Sequence, residues 1–285
     1  MQPVRVVAVR YLNTVPLIEG LDHTRGIELS TAVPSKIAGM VTRGEADVGL
    51  ASTFDAAAAG VPMVLLTSGM IGCDGPTLTV RLFSETPIDR IETVHIDNDS
   101  HSSAALCRVL LGEMYGITPK FVEFDARERM GPGGAEAQWP AAMLLIGDKV
   151  VSDSPPAVRY PHQLDLGEAW KSLTGLPFVY ALWMARADRW DDAESGARLR
   201  TAAALLDRQL RHNLTRVDWV ISTHAPLHRW PTDLARKYIT EYLRFEVGPR
   251  EQEAAALFLS KAAAMKLCPA IRPRWATPAA AAVTS

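Results

Sequence analysis

The sequence predicts an α/β protein of two similarly built lobes, with a ligand cleft between them and a helical C-terminal region. Three observations carry this. Short β-branched runs alternate with amphipathic helical segments, the pattern of a parallel sheet. The series occurs twice, and "EADVGLAST" in the first is echoed by "AMLLIGDKV" in the second, each a buried strand ending in small and polar residues. Beyond Trp190 the pattern is helical throughout. Ligands in open α/β sheets bind off the carboxyl ends of strands, so the polar loops that follow these strands mark the cleft.

The elements follow in order. Val4–Val9 is a β-branched run and reads as a buried strand. Tyr11-Leu12-Asn13-Thr14 follows as a polar loop, and Pro16 opens a helical stretch with Leu17, Ile18 and Leu21. Ile27–Val33 is a second strand. Pro34-Ser35 starts a helix with Ile37, Met40 and Val41 on one face, and Gly44 ends it. Ala46–Ala51 is a third strand, closing on Ser52-Thr53. Val61–Thr67 and Thr77–Ser84 are strands separated by a glycine-rich turn, Gly69 to Pro76.

The second series begins with Glu92–Ile96, followed by a dense polar loop at residues 97–103 and a helix at Ala104–Leu111. Lys120–Phe124 and Ala141–Ile146 are strands, with a loop at Met130–Gln138 between them, and Leu176–Arg186 returns as a strand. Helical stripes follow at Leu199/Ala203/Leu206/Leu210, Leu234/Tyr238/Tyr242 and Phe258/Ala262/Met265. The alanine-rich tail from Ala276 has no periodicity.

Composition narrows the function classes. At roughly 150 residues per domain, 285 residues make about two domains with cores that need no disulfide or metal. Thirty basic against 32 acidic residues leave a net charge of −2, which argues against a nucleic-acid binder. Apolar runs such as Ala141–Ile146 fall far short of the ~18 residues that span a bilayer. The arginine-interrupted start does not read as a secretory signal, and three scattered cysteines (Cys73, Cys107, Cys268) suggest a reducing compartment. The expectation is a cytoplasmic protein with no membrane partner.

Common cofactor motifs are missing. There is no GxxxxGK[ST], no strand–GxGxxG–helix and no GxSxG, and Gly131–Gly134 stands in a loop without a preceding strand pattern. His224 and His228 are four apart, but Pro226 between them spoils a helical ligand pair. Neither metal nor cofactor is expected. Chemistry falls to hydroxyls, amides, backbone N–H groups and at most one carboxylate or arginine.

Several blocks then stand in a telling order: Tyr11-Leu12-Asn13-Thr14-x-Pro16, Val33-Pro34-Ser35, Gly44-Glu45-Ala46-Asp47-Val48, Gly75-Pro76 with Val80-x-Leu82-Phe83, Leu145-Ile146-Gly147-Asp148, Asp165-Leu166-Gly167-x-x-Trp170, and Thr174-Gly175-x-Pro177-Phe178. Together they resemble the chorismate dehydratases of menaquinone biosynthesis, over about residues 4 to 186. The resemblance implies a two-lobe fold like that of type II periplasmic solute-binding proteins. Lobe one is then discontinuous (1–84 and 184–285), lobe two spans 85–183, and the crossings lie near Ser84 and Trp183. It also implies the reaction, loss of water from chorismate to give 3-[(1-carboxyvinyl)oxy]benzoate, the entry step of the futalosine route.

Asn13 stands where that family carries its catalytic asparagine; the alternative is an ordinary turn residue. The expected substrate-binding residues are Arg10, Tyr11, Thr14, Ser52, Thr53, Thr79, Ser100, Ser102, Ser103 and Asp148. Thr14, Ser52 and Thr53 serve equally well as helix caps. Thr79 stands where the family usually has serine. Ser100, Ser102 and Ser103 precede a helix and offer a carboxylate cradle, one of them as a cap, with His101 either adding positive charge or standing as an exposed spectator. Asp148 reads as an orienting or hinge-linking group. Trp170 and Phe178 read as core. Arg10 departs from the family pattern: it pairs with a substrate carboxylate, points to solvent, or favours a different acid. No carboxylate or histidine in the matched blocks is an evident base, which leaves the substrate's enolpyruvyl carboxylate. The competing readings are a non-catalytic binding protein of the same fold and a paralogous lyase acting on a later naphthoate precursor. The latter is expected to begin with a Cys-Pro-Asn-Asp-like block.

Overall fold

A computed structural model describes residues 2–97, 101–124 and 139–276. The β-branched and apolar runs form two mixed sheets. The first takes β1 (Val4–Ala8), β2 (Ile27–Thr31), β3 (Val48–Ser52), β4 (Met63–Cys73) and β10 (Phe178–Arg186), with the two-residue β11 (Leu243–Arg244) and β12 (Arg274–Trp275) on β4. Its order is β11-β4-β10-β3-β1-β2. The second takes β5 (Val80–Ser84), β6 (Thr93–Asp97), β7 (Lys120–Phe124), β8 (Ala142–Ile146) and β9 (His162–Asp165), in the order β7-β6-β8-β5-β9.

The βαβ units behave as the alternation predicts: β1 pairs parallel with β2 and β3, and β6 pairs parallel with β7 and β8. Neither sheet is wholly parallel. β10 runs antiparallel to β3 and β4, and β5 runs antiparallel to β8 and β9. Each of these strands follows a passage from the other sheet, so it enters at the end where its parallel neighbours finish. The passages lie at 74–79 and between Asp165 and Phe178, slightly before the Ser84 and Trp183 crossings read from the sequence.

Local chemistry sets the helix ends. After α1 (Val15–Ile18), α2 (Pro34–Thr42) has its proline in the first turn, and Gly44 at φ +74° lets the chain leave. α3 (Asp55–Ala58) is one turn, α4 (His101–Tyr115) spans 15 residues, and α5 (Lys149–Ser152) is again one turn. α6 (Leu166–Thr174) is capped by Asp165 and ended by Gly175. The helical region comprises α7 (Ala187–Asp191), α8 (Ala193–Thr215), α9 (Val217–His224), α10 (Thr232–Lys237) and α11 (Pro249–Ala264). Leu199, Leu206 and Leu210 of the expected stripe on α8 are buried. Trp170 and Phe178 are core as read, fully buried edge-to-face with each other and with Phe258.

The expected turn from Gly69 differs. β4 runs eleven residues straight through it. Leu65 pairs with Met184 and Met70 with Leu182, so residues 66–69 form a wide bulge opposite Trp183. The glycine bends the strand instead of ending it. The four-residue β9 is polar and half-exposed, and the sequence reading has no strand there. The Met130–Gln138 loop and the tail beyond Ala276 lie outside the described residues. Among the described residues, no helix is long and apolar enough to cross a membrane.

Candidate functional site

The carboxyl ends of β1, β3 and β4 face those of β6 and β8 across a narrow cleft with a free volume of about 80 Å³. Its walls combine apolar side chains (Val9, Leu50, Ile71, Val80, Ile146) with polar ones (Asn13, Ser52, Thr77, Thr79, Ser103) and two tyrosines, Tyr180 and Tyr238. No charged side chain lines it among the described residues. A wider groove lies at the other end of the first sheet. Its Arg5, Arg43 and Arg186 are paired with Asp47, Glu45 and Asp188, and none of the polar residues expected at the site line it.

Asn13 reaches the cleft because β1 ends at Ala8 and residues 12–14 form one tight 3₁₀ turn. Its side-chain oxygen accepts from the buried Thr14 hydroxyl at 3.2 Å, which turns the amide nitrogen toward the cleft. There Asn13 meets the Tyr238 hydroxyl, and Tyr238 in turn lies 2.7 Å from Thr79 Oγ1. Burial holds the Tyr238 phenol above its ordinary range, so it stays neutral and can donate. An amide and two hydroxyls thus converge on one wall.

The opposite wall is a docking between lobes. Ser52 Oγ lies 2.6 Å from Ser102 Oγ at the start of α4, and Ser102 Oγ also accepts the Phe54 N–H at 3.1 Å. Ser102 is fully buried and spent on these contacts, whereas Ser103 lines the cleft. Thr53 is buried without lining the cleft. Ser100 lies outside the described residues. His101 is no spectator: its Nδ1 is 2.6 Å from the buried Asp55 carboxylate, and that hydrogen bond raises the imidazole pKa against the opposing effect of burial.

Two further expectations find different places. Arg10 is exposed and does not line the cleft; it lies with Thr31–Pro34 on an outer groove that adjoins the cleft at Val9, Tyr11 and Pro34. Asp148 does not line it either: its carboxylate accepts the Leu12 N–H at 3.2 Å, faces His228 Nδ1 at 2.8 Å and accepts the Trp230 indole N–H at 3.1 Å. It is a latch between lobes, the hinge-linking role, and its acceptor capacity is used. Tyr11 stays at the cleft, with its ring against Gly147 of the other lobe.

Residues 4–264 match the sequence profile described as menaquinone biosynthesis. The chain belongs to the menaquinone biosynthesis family. It is 28% identical over 203 residues to the chorismate dehydratase of Thermus thermophilus, covering 66% of this chain and 72% of that protein. Its fold is similar to that of a structural-genomics protein from Archaeoglobus fulgidus (TM-score 0.70, 15% identity, 93% of this chain and 98% of that one). It also resembles the periplasmic aliphatic sulphonate binding protein of Escherichia coli (TM-score 0.63, 18% identity, 98% and 93%).

Tyr180, Tyr238 and Thr77 are cleft residues that the sequence reading missed. Tyr238 sat in a helical stripe and looked like core. It is core along its ring, stacked 4.8 Å from Trp230, while its hydroxyl points the other way. Tyr180 lay inside a continuous apolar strand, where periodicity does not separate a cleft wall from a core wall.

Proposed function

We propose that this protein is a cofactor-independent, cytoplasmic hydro-lyase that dehydrates chorismate to 3-[(1-carboxyvinyl)oxy]benzoate, the entry step of the futalosine route to menaquinone. The supporting observation is the convergence of Asn13, Thr79 and Tyr238 in the cleft of a menaquinone-family fold. Removing the ring C3 proton of chorismate leaves a dienolate delocalised onto the ring carboxylate. Departure of the C4 hydroxyl then makes the ring aromatic, which drives the reaction. The chain's part is to hold a dianion, stabilise charge on the ring carboxylate and assist hydroxide departure. The Asn13 amide is assigned to the leaving hydroxyl. Thr79, Ser103 and the N-terminal end of α4 are assigned to the carboxylates. With no charged side chain on the described walls, the substrate's enolpyruvyl carboxylate is the base. Thr14 orients Asn13, and the lobes that close on substrate are those built on the two sheets, joined by the passages at 74–79 and between Asp165 and Phe178.

The test is to incubate chelated, purified protein with chorismate, following loss of diene absorbance and product mass. Loss of one water, slowed at least a hundredfold by Asn13→Ala, supports the reading. Chorismate bound but unchanged points instead to a binding protein of the same fold.

A further inference from the structure

The Asp165-Leu166-Gly167 block takes no part in the chemistry just assigned, yet the structure builds it into the cleft's frame. Asp165 is buried, with only 6% of its surface exposed, and closes β9 in the second sheet. As the cap of α6 it accepts the Gly167 and Glu168 N–H groups at 3.0 and 3.2 Å. The same carboxylate accepts the Thr77 N–H at 3.0 Å and the Leu78 N–H at 2.8 Å, from the first passage between the lobes. Arg81 is its nearest cation, at 3.5 Å.

The segment it holds is strained. The Thr79 N–H donates to the Thr77 carbonyl at 2.7 Å, so Leu78 is the central residue of a γ-turn. Its φ of +63° puts a branched residue in the rare, strained form of that turn. This turn aims Thr77 and Thr79, on either side of Leu78, into the cleft, where Thr79 meets Tyr238. Gly167 completes the arrangement. A Cβ there would stand 2.5 Å from Cys73 Sγ, 2.6 Å from the Gly75 carbonyl oxygen and 3.1 Å from Thr77 Cβ. Helix α6 therefore packs straight onto the passage, with no side chain between.

We propose that Asp165 is a positioning residue: its carboxylate holds the strained turn at Leu78 and thereby keeps Thr77 and Thr79 facing the substrate. This rests on the chorismate reading of the cleft. The role extends beyond helix capping, because two of its four backbone bonds go to the turn and two to the helix. The two roles separate experimentally. Asparagine is as good a cap as aspartate, so Asp165→Asn keeps α6 started while weakening its hold on the turn. Glycine at position 78 adopts positive φ without strain, so the turn then needs less holding.

The experiment measures kcat/KM for chorismate and the melting temperature for wild type, Asp165→Asn, Leu78→Gly and the double variant. Asp165→Asn is expected to lower kcat/KM about thirtyfold in the wild-type background but less than fivefold in the Leu78→Gly background. A helix-cap role alone predicts the same loss in both, and that additivity would overturn the proposal. If Asp165→Asn does not fold, the double variant decides: the proposal expects it to fold, and an equally unfolded double variant refutes it. If wild type does not turn over chorismate, the functional reading has failed separately. The coupling is then read from the melting temperatures, where at least half of the Asp165→Asn loss should vanish in the Leu78→Gly background.

Discussion

Asp148→Ala should open the lobes at a cost that can be worked from its contacts. The carboxylate serves three donors from the first lobe: the Leu12 N–H, His228 Nδ1 and the Trp230 indole N–H. Leu12 and Trp230 are buried, at 0% and 3% exposed, so each loses its partner without gaining water. An unsatisfied buried donor costs about 1–3 kcal/mol. The His228 side chain is 15% exposed and recovers part of its loss through solvent. The sum is roughly 3–5 kcal/mol, which for a chain of this size lowers the melting temperature by about 6–12 °C. Asp148→Asn keeps one acceptor oxygen and should cost roughly 1–2 kcal/mol. Thermal unfolding followed by circular dichroism at pH 7 measures both, and Asp148→Ala/His228→Ala should lose less than the sum of its singles. A melting temperature for Asp148→Ala within 2 °C of wild type would refute the latch. Loss of turnover in Asp148→Asn without loss of stability would mean that the carboxylate takes part in the chemistry instead.

Three other substitutions probe separate features. The Tyr180 hydroxyl is buried at the cleft wall facing the Thr77 and Cys73 side chains, without a well-aligned hydrogen bond among the described residues, so Tyr180→Phe should leave the ligand-free melting temperature within about 2 °C of wild type while weakening chorismate binding; a fall of several degrees would show a satisfied hydroxyl. Gly69→Ala places a Cβ 2.6 Å from Leu17 Cδ2 at a φ of +132°, and should cost about 2–4 kcal/mol in a denaturant titration, with a neutral result contradicting the bulge. His101 titrates above its unfolded value of about 6.5 through the Asp55 hydrogen bond, so this pair stabilises the fold fully below that pH and the contribution is lost as pH rises through the folded value. With the imidazole side chain 43% exposed, the contribution is only about 0.5 kcal/mol after screening. His101→Gln should flatten the change in stability between pH 6 and 8, and an unchanged slope would exclude the pair as its source.

Much of the frame was legible because its causes are local. Strand Lys120–Phe124 lies where β-branched and aromatic residues place it, and α2 begins at Pro34 and ends beside Gly44 as written. Asn13, Tyr11, Ser52, Thr79 and Ser103 were readable as cleft residues because each lies at or near a strand end or a helix start. Gly69 misled because a glycine permits both a turn and a bend, and neighbouring side chains choose between them. Of the three places open to Arg10, the structure takes the solvent-facing one, because one residue along an extended chain reverses the face a side chain takes.

By itself, the sequence determined the two α/β series, the helical tail, the order of the matched blocks and the polar character of the loops ending the strands. All of these follow from periodicity, propensity and chemistry within a few residues. Only the tertiary structure decided that Asp148 meets Leu12 across 136 positions, that Asp165 holds a strained turn 87 positions away, and that Tyr238 returns from the tail to face Thr79. Such contacts depend on how two sheets, crossed twice by the chain, bring their ends together. That placement is set by the packing of the whole molecule, and no local pattern encodes it.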